Sequence, residues 1–121
     1  MKQSRASSRH LSADERTVVA DRIVAFLRDR HPAKMPENVE ADTGIPAETV
    51  SQWEQRGSAP SIAAAFRLFN AYGPEFLVAA MGDSAPDWLR KGAIAAEIEQ
   101  RQRVLEEGAQ RIEELRAMLA K

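Results

Sequence analysis

The side chains best suited to chemistry lie in residues 47–56, and their chemistry is hydrogen bonding rather than bond making. Hydroxyl, carboxylate and amide groups alternate there with small side chains, and the segment contains no His, Lys or Cys. A carboxylate such as Glu48 can accept a hydrogen bond from the cytosine amino group, and an amide such as Gln52 can pair bidentately with adenine. The predicted base-contacting set is Ala47, Glu48, Thr49, Ser51, Gln52, Gln55 and Arg56.

Enzymatic chemistry has little support elsewhere in the chain. Among 121 residues there is no Cys, and His10 and His31 are the only two histidines, which argues against thiol catalysis and Cys- or His-rich metal sites. The chain has no glycine-rich phosphate loop and no nucleophile beside a base. We therefore expect no enzyme, no cofactor and no bound metal.

The composition indicates a soluble protein of one small domain with an appendage. It is 44% hydrophobic and 29% charged, as in ordinary globular chains. The first ten residues lack the apolar stretch of a secretory signal, and no apolar run is long enough to span a bilayer. We expect a cytoplasmic protein with no membrane partner.

Charge is unevenly distributed although the net charge is only −1. Residues 1–35 carry eight Lys or Arg against four Asp or Glu, whereas residues 36–60 carry one Arg against five acids. Lys2, Arg5 and Arg9 form a basic arm, residues 1–11, that could lie along phosphates or could simply be a solvated, flexible terminus.

Every segment between the Gly and Pro punctuation predicts helix, so the expected fold class is all-α. A capping box at Ser12–Glu15 opens a helix over about 13–30, with a buried stripe at Val19, Ile23, Phe26 and Leu27. Four shorter helices follow at about 36–43, 47–55, 62–72 and 74–81. The fourth carries the apolar set Ile62, Phe66, Leu68 and Phe69, and the fifth carries Phe76, Leu77, Val78 and Met81.

The helices at 36–43 and 47–55 have the features of a helix-turn-helix. Gly44 supplies a residue that tolerates left-handed backbone angles, and Ile45 follows it as an apolar plug. Val50 and Trp53 give the second helix an apolar inner side, which leaves its polar residues for the outside. A packing module in which Gly44 merely ends a helix is the simpler alternative.

In this window the sequence resembles the lambda-repressor-like (Cro/C1-type, XRE) helix-turn-helix family, and within it the short regulators of prophages and mobile elements. The matching positions are Val39, Gly44, Ile45, Thr49, Val50, Ser51, Trp53, Glu54, Gly57, Pro60 and Ser61. The resemblance implies a five-helix DNA-binding domain over residues 12–82, and transcriptional repression by occupation of a promoter.

Three departures from the family pattern stand out. Glu40 occupies a position where the two helices nearly touch and Ala is usual, so either its side chain leans outward, the helices spread, or Ala41 takes the contact. Two residues rather than one separate Glu54 from Gly57. The reading segment 47–55 has no basic residue, so phosphate attraction must come from Arg56, the arm, Lys34 and Arg67.

Residues 83–121 form the predicted C-terminal unit, in which about 86–120 is one long helix with a coiled-coil seam. Ile98, Leu105, Ile112 and Leu119 recur every seven residues, with Ile94 and Leu115 at the complementary offsets. A stretch of that length is about 50 Å long, more than the small domain can cover, so we expect a homodimer. Folding back onto the domain is the alternative, and Trp88 is expected to pack the start of the helix onto the globular part.

Together these features predict a homodimeric regulator that reads an inverted repeat in double-stranded DNA. Two other functions fit the same features. One is a helix-turn-helix protein used to bind protein, such as an anti-activator or antitoxin, which the acidic segment 36–60 favours. The other is a phage DNA-packaging or recombination accessory protein.

Overall fold

Every element that the structure describes is helical. The computed structural model describes residues 13–121, so the arm with Lys2, Arg5 and Arg9 and the cap at Ser12 lie outside the described residues. Within this range the chain has no strand. The six α-helices, with a short 3-10 turn at Gly82–Ser84 before the last, are α1 (Ala13–Arg30), α2 (Met35–Thr43), α3 (Ala47–Arg56), α4 (Ile62–Tyr72), α5 (Pro74–Met81) and α6 (Asp87–Ala120).

The helix ends follow the local sequence closely. Pro36 lies in the first turn of α2, where a missing N–H costs nothing, and α2 begins one residue earlier than the pattern predicts. Ser61 caps α4, because its side-chain oxygen accepts a hydrogen bond from the Ala64 N–H at 3.1 Å. Pro74 follows Gly73 and begins α5 at once. The short helices are therefore limited by Gly, Pro and Ser at the positions the sequence predicts.

The core is built where α1 to α5 converge. The buried residues of α1 recur at helical spacing, as predicted, with Ile23 and Leu27 buried and Val19 and Phe26 half-buried at the edge. Each of the following helices contributes at least one buried side chain. The cluster consists of Ile23, Val24, Leu27, Met35, Val39, Ile45, Val50, Trp53, Leu68, Tyr72 and Phe76.

The predicted apolar set of α4 does not form its buried side. Of that set only Leu68 is buried, whereas Ile62 is 75% exposed, Phe66 64% and Phe69 37%. Leu68 and Tyr72, four residues apart, share the inward side of α4. This rotation leaves Ile62, Phe66 and Phe69, spaced by four and three residues, as an apolar stripe on the surface. We call these three residues the α4 stripe.

The chain turns sharply between α5 and α6, and the first turns of α6 pack against α5. Ala85, Leu89 and Ala93 are buried at four-residue spacing. Arg90 fixes the turn by donating hydrogen bonds to the Gly82 carbonyl at 2.7 Å and the Ala85 carbonyl at 3.2 Å. The expected packing of Trp88 is wrong: its side chain is 74% exposed, because Leu89, one position further around the helix, faces the globular part.

Beyond residue 93 the long helix presents its apolar seam to solvent. Residues 101–121 are all exposed, and Ile98, Ile112 and Leu115 are between 44% and 53% exposed. Among the helices of residues 13–121, none combines the length and the apolar character needed to cross a membrane.

We predict that Leu68→Ala destabilises the protein by about 2–5 kcal/mol, because it leaves a cavity at a fully buried position. Phe66→Ala, two residues away on the exposed side of α4, should change the free energy of unfolding by no more than about 0.5 kcal/mol. Urea unfolding measures both. Equal losses in the two variants would show that α4 is rotated differently.

Candidate nucleic-acid interface

The turn between α2 and α3 is a three-residue link, Gly44 to Pro46, which we call the corner. Gly44 has φ 79°, and its N–H donates to the Glu40 carbonyl at 2.8 Å, which ends α2. A side chain there would be strained by this φ and would meet the Arg67 guanidinium at 3.0 Å. The backbone angle therefore requires the glycine, whereas the Arg67 guanidinium is the flexible end of an exposed side chain and can shift.

Side-chain hydrogen bonds hold the exit from the turn. The Thr43 hydroxyl donates to the Val39 carbonyl at 2.7 Å and accepts from the Ile45 N–H at 3.1 Å. Ile45, which directly follows Gly44, is buried, as the sequence predicts. The plug and the two hydrogen bonds together fix the direction in which α3 leaves the corner.

The inner side of α3 is buried as predicted. Val50 is fully buried and Trp53 is 4% exposed. Next to Trp53, Glu54 forms an ion pair at 2.9 Å with Arg28 of α1. One side of α3 is therefore attached to α1 and the core, and this determines which side faces outward.

The predicted base-contacting residues lie on the remaining surface of α3. Glu48, Gln52, Gln55 and Arg56 are exposed. Ala47, Thr49 and Ser51 are half-buried, so they line the edges of this surface rather than its centre. We call the four exposed side chains and these three edge residues the α3 face.

Glu40 leans outward and acquires a local role that the sequence did not suggest. Its side chain is exposed, and its Oε1 accepts a hydrogen bond at 3.2 Å from the N–H of Ala47, the first residue of α3. Pro46, which precedes α3, offers no side-chain cap, so the carboxylate of Glu40 serves that purpose. Ala41 is exposed, so it does not take the contact between the helices.

The basic residues predicted to contact phosphate occupy different places. Arg56 is exposed in the last turn of α3. Arg67 reaches from α4 to the corner and donates to the Thr43 carbonyl at 3.4 Å. Lys34 precedes α2 in a left-handed conformation with φ 54°. Arg56 and Arg67 thus belong to the α3 and corner region, while Lys34 lies at the far end of α2.

A polar cluster that the sequence pattern did not predict joins three helices behind the corner. Tyr72 of α4 donates a hydrogen bond at 2.8 Å to Asp42 of α2, and His31 Nε2, at the end of α1, lies 2.9 Å from the same carboxylate oxygen. The signal was present: Tyr72 is the only tyrosine, and a buried tyrosine hydroxyl requires a polar partner. The partners were not deducible, since they lie 30 and 41 residues away.

Ionisation in this cluster is shifted in opposite directions at the two acids. The hydrogen bond from Tyr72 lowers the pKa of Asp42, with a further contribution from His31, against an opposing effect of burial. Burial raises the pKa of Tyr72, and the hydrogen bond to the Asp42 carboxylate raises it further. The cluster therefore favours ionised Asp42 and neutral Tyr72 at ordinary pH.

Arg30 covers the outer side of this cluster. Its guanidinium lies 5.1 Å from the Phe26 ring centre and 5.4 Å from that of Tyr72, and it pairs with Glu75 at 3.0 Å. Within residues 13–121, no group of three or more His, Asp or Glu side chains is placed to hold a metal ion. Because Asp42 contacts both Tyr72 and His31, the cluster joins α1, α2 and α4 and acts as a clamp between these helices.

The predicted dimer seam on α6 is exposed along its whole length. The six seam residues are between 44% and 88% exposed: Ile94, Ile98, Leu105, Ile112, Leu115 and Leu119. Val104 and Met118 add to the apolar area beside them. The seam is therefore a continuous exposed apolar stripe, a feature that is uncommon on the surfaces of soluble monomers.

No protein-family model matches the chain, and no curated protein or solved structure matches it either.

We predict that Glu40→Ala loosens the start of α3, because the Ala47 N–H loses its acceptor. The expected loss is about 0.5–1 kcal/mol, typical of a helix cap at an exposed position. Amide hydrogen exchange at Ala47 and urea unfolding measure it. Glu40→Gln keeps an acceptor oxygen and should recover most of the loss; failure to recover would mean that charge rather than the hydrogen bond matters.

We further predict that Tyr72 stays neutral well above pH 10, its ordinary range. Because its folded-state pKa is raised, its stabilising contribution is complete below about pH 10 and is lost as pH rises beyond that. Near-ultraviolet absorbance reports this one tyrosine directly. Asp42→Asn should allow ionisation at lower pH than in the parent chain, and parent Tyr72 ionising near pH 10 while folded would contradict the prediction.

Proposed function

We propose that the chain is a sequence-specific DNA-binding transcriptional regulator, a repressor that acts as a homodimer on an inverted-repeat operator. In this proposal α2, the Gly44 turn and α3 form a helix-turn-helix, and α1 to α5 form a lambda-repressor-like domain. The α3 face enters the major groove, and α6 joins two copies.

The observation that carries the proposal is the contrast between the two sides of α3. Val50 and Trp53 are buried, while Glu48, Gln52, Gln55 and Arg56 are all exposed. A helix held on one side by the core, with amide, carboxylate and guanidinium groups on the other, can enter the major groove and reach base edges. Packing alone would not require that set of polar groups.

The roles of individual side chains follow from their donors and acceptors. Gln52, near the middle of the exposed side, can donate to and accept from an adenine edge, and Glu48 can accept from cytosine N4. Arg56, at the end of the helix, suits a phosphate oxygen. Ser51 and Thr49, at the edge, suit either kind of contact.

The acidic composition of residues 36–60 is less of an obstacle than the charge count suggests. Three of its five acids have partners within the chain: Glu40 with the Ala47 N–H, Asp42 with Tyr72 and His31, and Glu54 with Arg28. Of the remaining acids, Glu48 lies on the α3 face itself. The ion pair with Arg28 offsets the charge of Glu54 and reduces the repulsion of a phosphate backbone there. The hydrogen bonds do not remove the charge of Glu40 or Asp42, so Arg56 and Arg67 must supply attraction to phosphate.

The α4 stripe favours a second candidate, a helix-turn-helix protein that binds another protein. Ile62 and Phe66 are large apolar residues more than 60% exposed on one helix side. Exposed apolar patches mark association sites in soluble proteins. In that case the α4 stripe, and not the α3 face, would carry the activity.

The test is a salt series of binding to fragments of the genome that encodes the chain, followed by footprinting. We expect saturable protection of a palindromic site. Gln52→Ala should weaken that site about 5- to 150-fold, the loss of one bidentate base contact. Arg56→Ala should weaken binding to all sequences and reduce the salt dependence by about one phosphate contact.

Gln110→Ala and Arg103→Ala, exposed positions on α6, are matched controls that should leave DNA affinity unchanged. The absence of a saturable shift even at low salt would overturn the proposal. Capture of a protein partner that is lost in Phe66→Ser, together with unaffected capture by Gln52→Ala, would establish the second candidate instead.

A further inference from the structure

The apolar seam of α6 is interrupted in one of its two rows. In heptad terms Ile98, Leu105, Ile112 and Leu119 occupy the a row without interruption. The complementary d row reads Ile94, Arg101, Gly108 and Leu115. Two of its four positions therefore lack an apolar side chain, and their placement determines which pairing of two helices can work.

A parallel pair would align each defect with its own copy. Arg101 would face the second Arg101 in the interior, and Gly108 would face the second Gly108 across an empty layer. On the flank, Arg111 at g would face Arg116 at the following e position of the second copy, and this like-charge contact would occur twice. Parallel pairing therefore places two unfavourable layers and two repulsive contacts in one short coil.

An antiparallel pair removes each of these conflicts. In such a pair an a residue of one helix faces a d residue of the other. When the twofold axis passes between residues 106 and 107, each of the four a and four d residues has a partner in the second copy. The layers become Ile98 with Leu115, Leu105 with Gly108, Ile112 with Arg101, and Leu119 with Ile94. Each layer gains at least one large apolar side chain, and the glycine lies opposite a leucine.

The flanks also agree with this direction. In an antiparallel pair g residues face g residues, so in this register Arg111 faces Val104 of the second copy and Glu97 faces Met118, and the like-charge contact of the parallel pair is absent. Arg101 is already drawn to Glu97 of its own helix, at 2.9 Å, which turns its guanidinium toward that flank. The stem of Arg101 can then cover Ile112 of the second copy while its charge stays in water.

The globular part leaves room for a second helix beside the seam. A groove of about 770 Å³ separates residues 97–105 of α6 from α1 and α5. Its walls combine the apolar Phe26, Val104 and Leu105 with six polar or charged side chains, among them Arg30 and Glu75. In the antiparallel register the segment facing this groove is 108–116 of the second copy, which contains Ile112 and Leu115.

We propose that two copies of the chain pair through antiparallel α6 helices, with residues 108–116 of each copy seated in the groove beside residues 97–105 of the other. This pairing deepens the homodimer of the proposed function and rests on it. It carries the two globular parts at opposite ends of the paired helices, whereas parallel helices would hold them side by side.

The chain has no cysteine, which allows a direct test with single spin labels. Gln110→Cys and Ala117→Cys place labels on the same exposed side of α6, seven residues apart. About the dyad, the axial separation of equivalent labels is about 10 Å at position 110 and about 30 Å at position 117, from the helical rise. Pulsed electron paramagnetic resonance should therefore give a distance at 117 that is longer by at least about 10 Å.

Each other outcome overturns the antiparallel pairing. Equal distances at the two positions would show that the helices are parallel. If no intermolecular distance is detected even at the highest soluble concentration of labelled chain, the α6 helices do not pair. Oxidation of a mixture of Leu105→Cys and Gly108→Cys chains provides the second measurement, with mixed disulfides expected in excess over self-disulfides. None of these measurements uses DNA, so a chain that binds no operator can still confirm the pairing, and an operator-binding chain can still refute it.

Discussion

The direction that the chain takes at Gly44 is the constraint on which the candidate interface depends. A positive φ at this residue, a hydrogen-bonded end to α2 and a buried Ile45 leave α3 one way to leave the turn. Val50 and Trp53 then fix its rotation about its own axis. The polar groups of the α3 face are outward because the apolar ones have been placed inward. A change at the corner would thus move every proposed base contact at once.

The corner is held from behind by a polar cluster whose members are far apart in the sequence. His31, Asp42 and Tyr72 connect α1, α2 and α4 through one carboxylate oxygen. Because Tyr72 is buried, its hydroxyl needs this acceptor, and because Asp42 accepts two such contacts, α2 cannot slide along α4 without losing them. The clamp and the hydrophobic core therefore act on the same small helix from two sides.

Local features of the fold were predictable from the sequence, but the rotation of α4 and of the start of α6 was not. Ser61, Gly44 and the prolines fix helix limits through backbone chemistry within a few residues, so the six helices and the buried Ile45, Val50 and Trp53 follow from the pattern. The rotation of α4 depends on which side its neighbours cover, and with Ile62, Phe66 and Phe69 equally apolar, composition could not decide. Trp88 was misplaced for the same reason, and Glu40 acquired its role from an N–H seven residues away.

The seam of α6 shows how residues that weaken a coil can still define it. Arg101 and Gly108 remove apolar contacts from the d row, so any dimer is less stable than one with leucine at both positions. Yet an antiparallel pair places each of these two residues against a large apolar side chain, whereas a parallel pair places each against its own copy. Leucine at both would make the two directions nearly equivalent, and the arrangement of the globular parts would no longer be determined. In the proposed pairing, direction is therefore specified by the positions where the seam is imperfect, together with Arg111 and Arg116 on its flank.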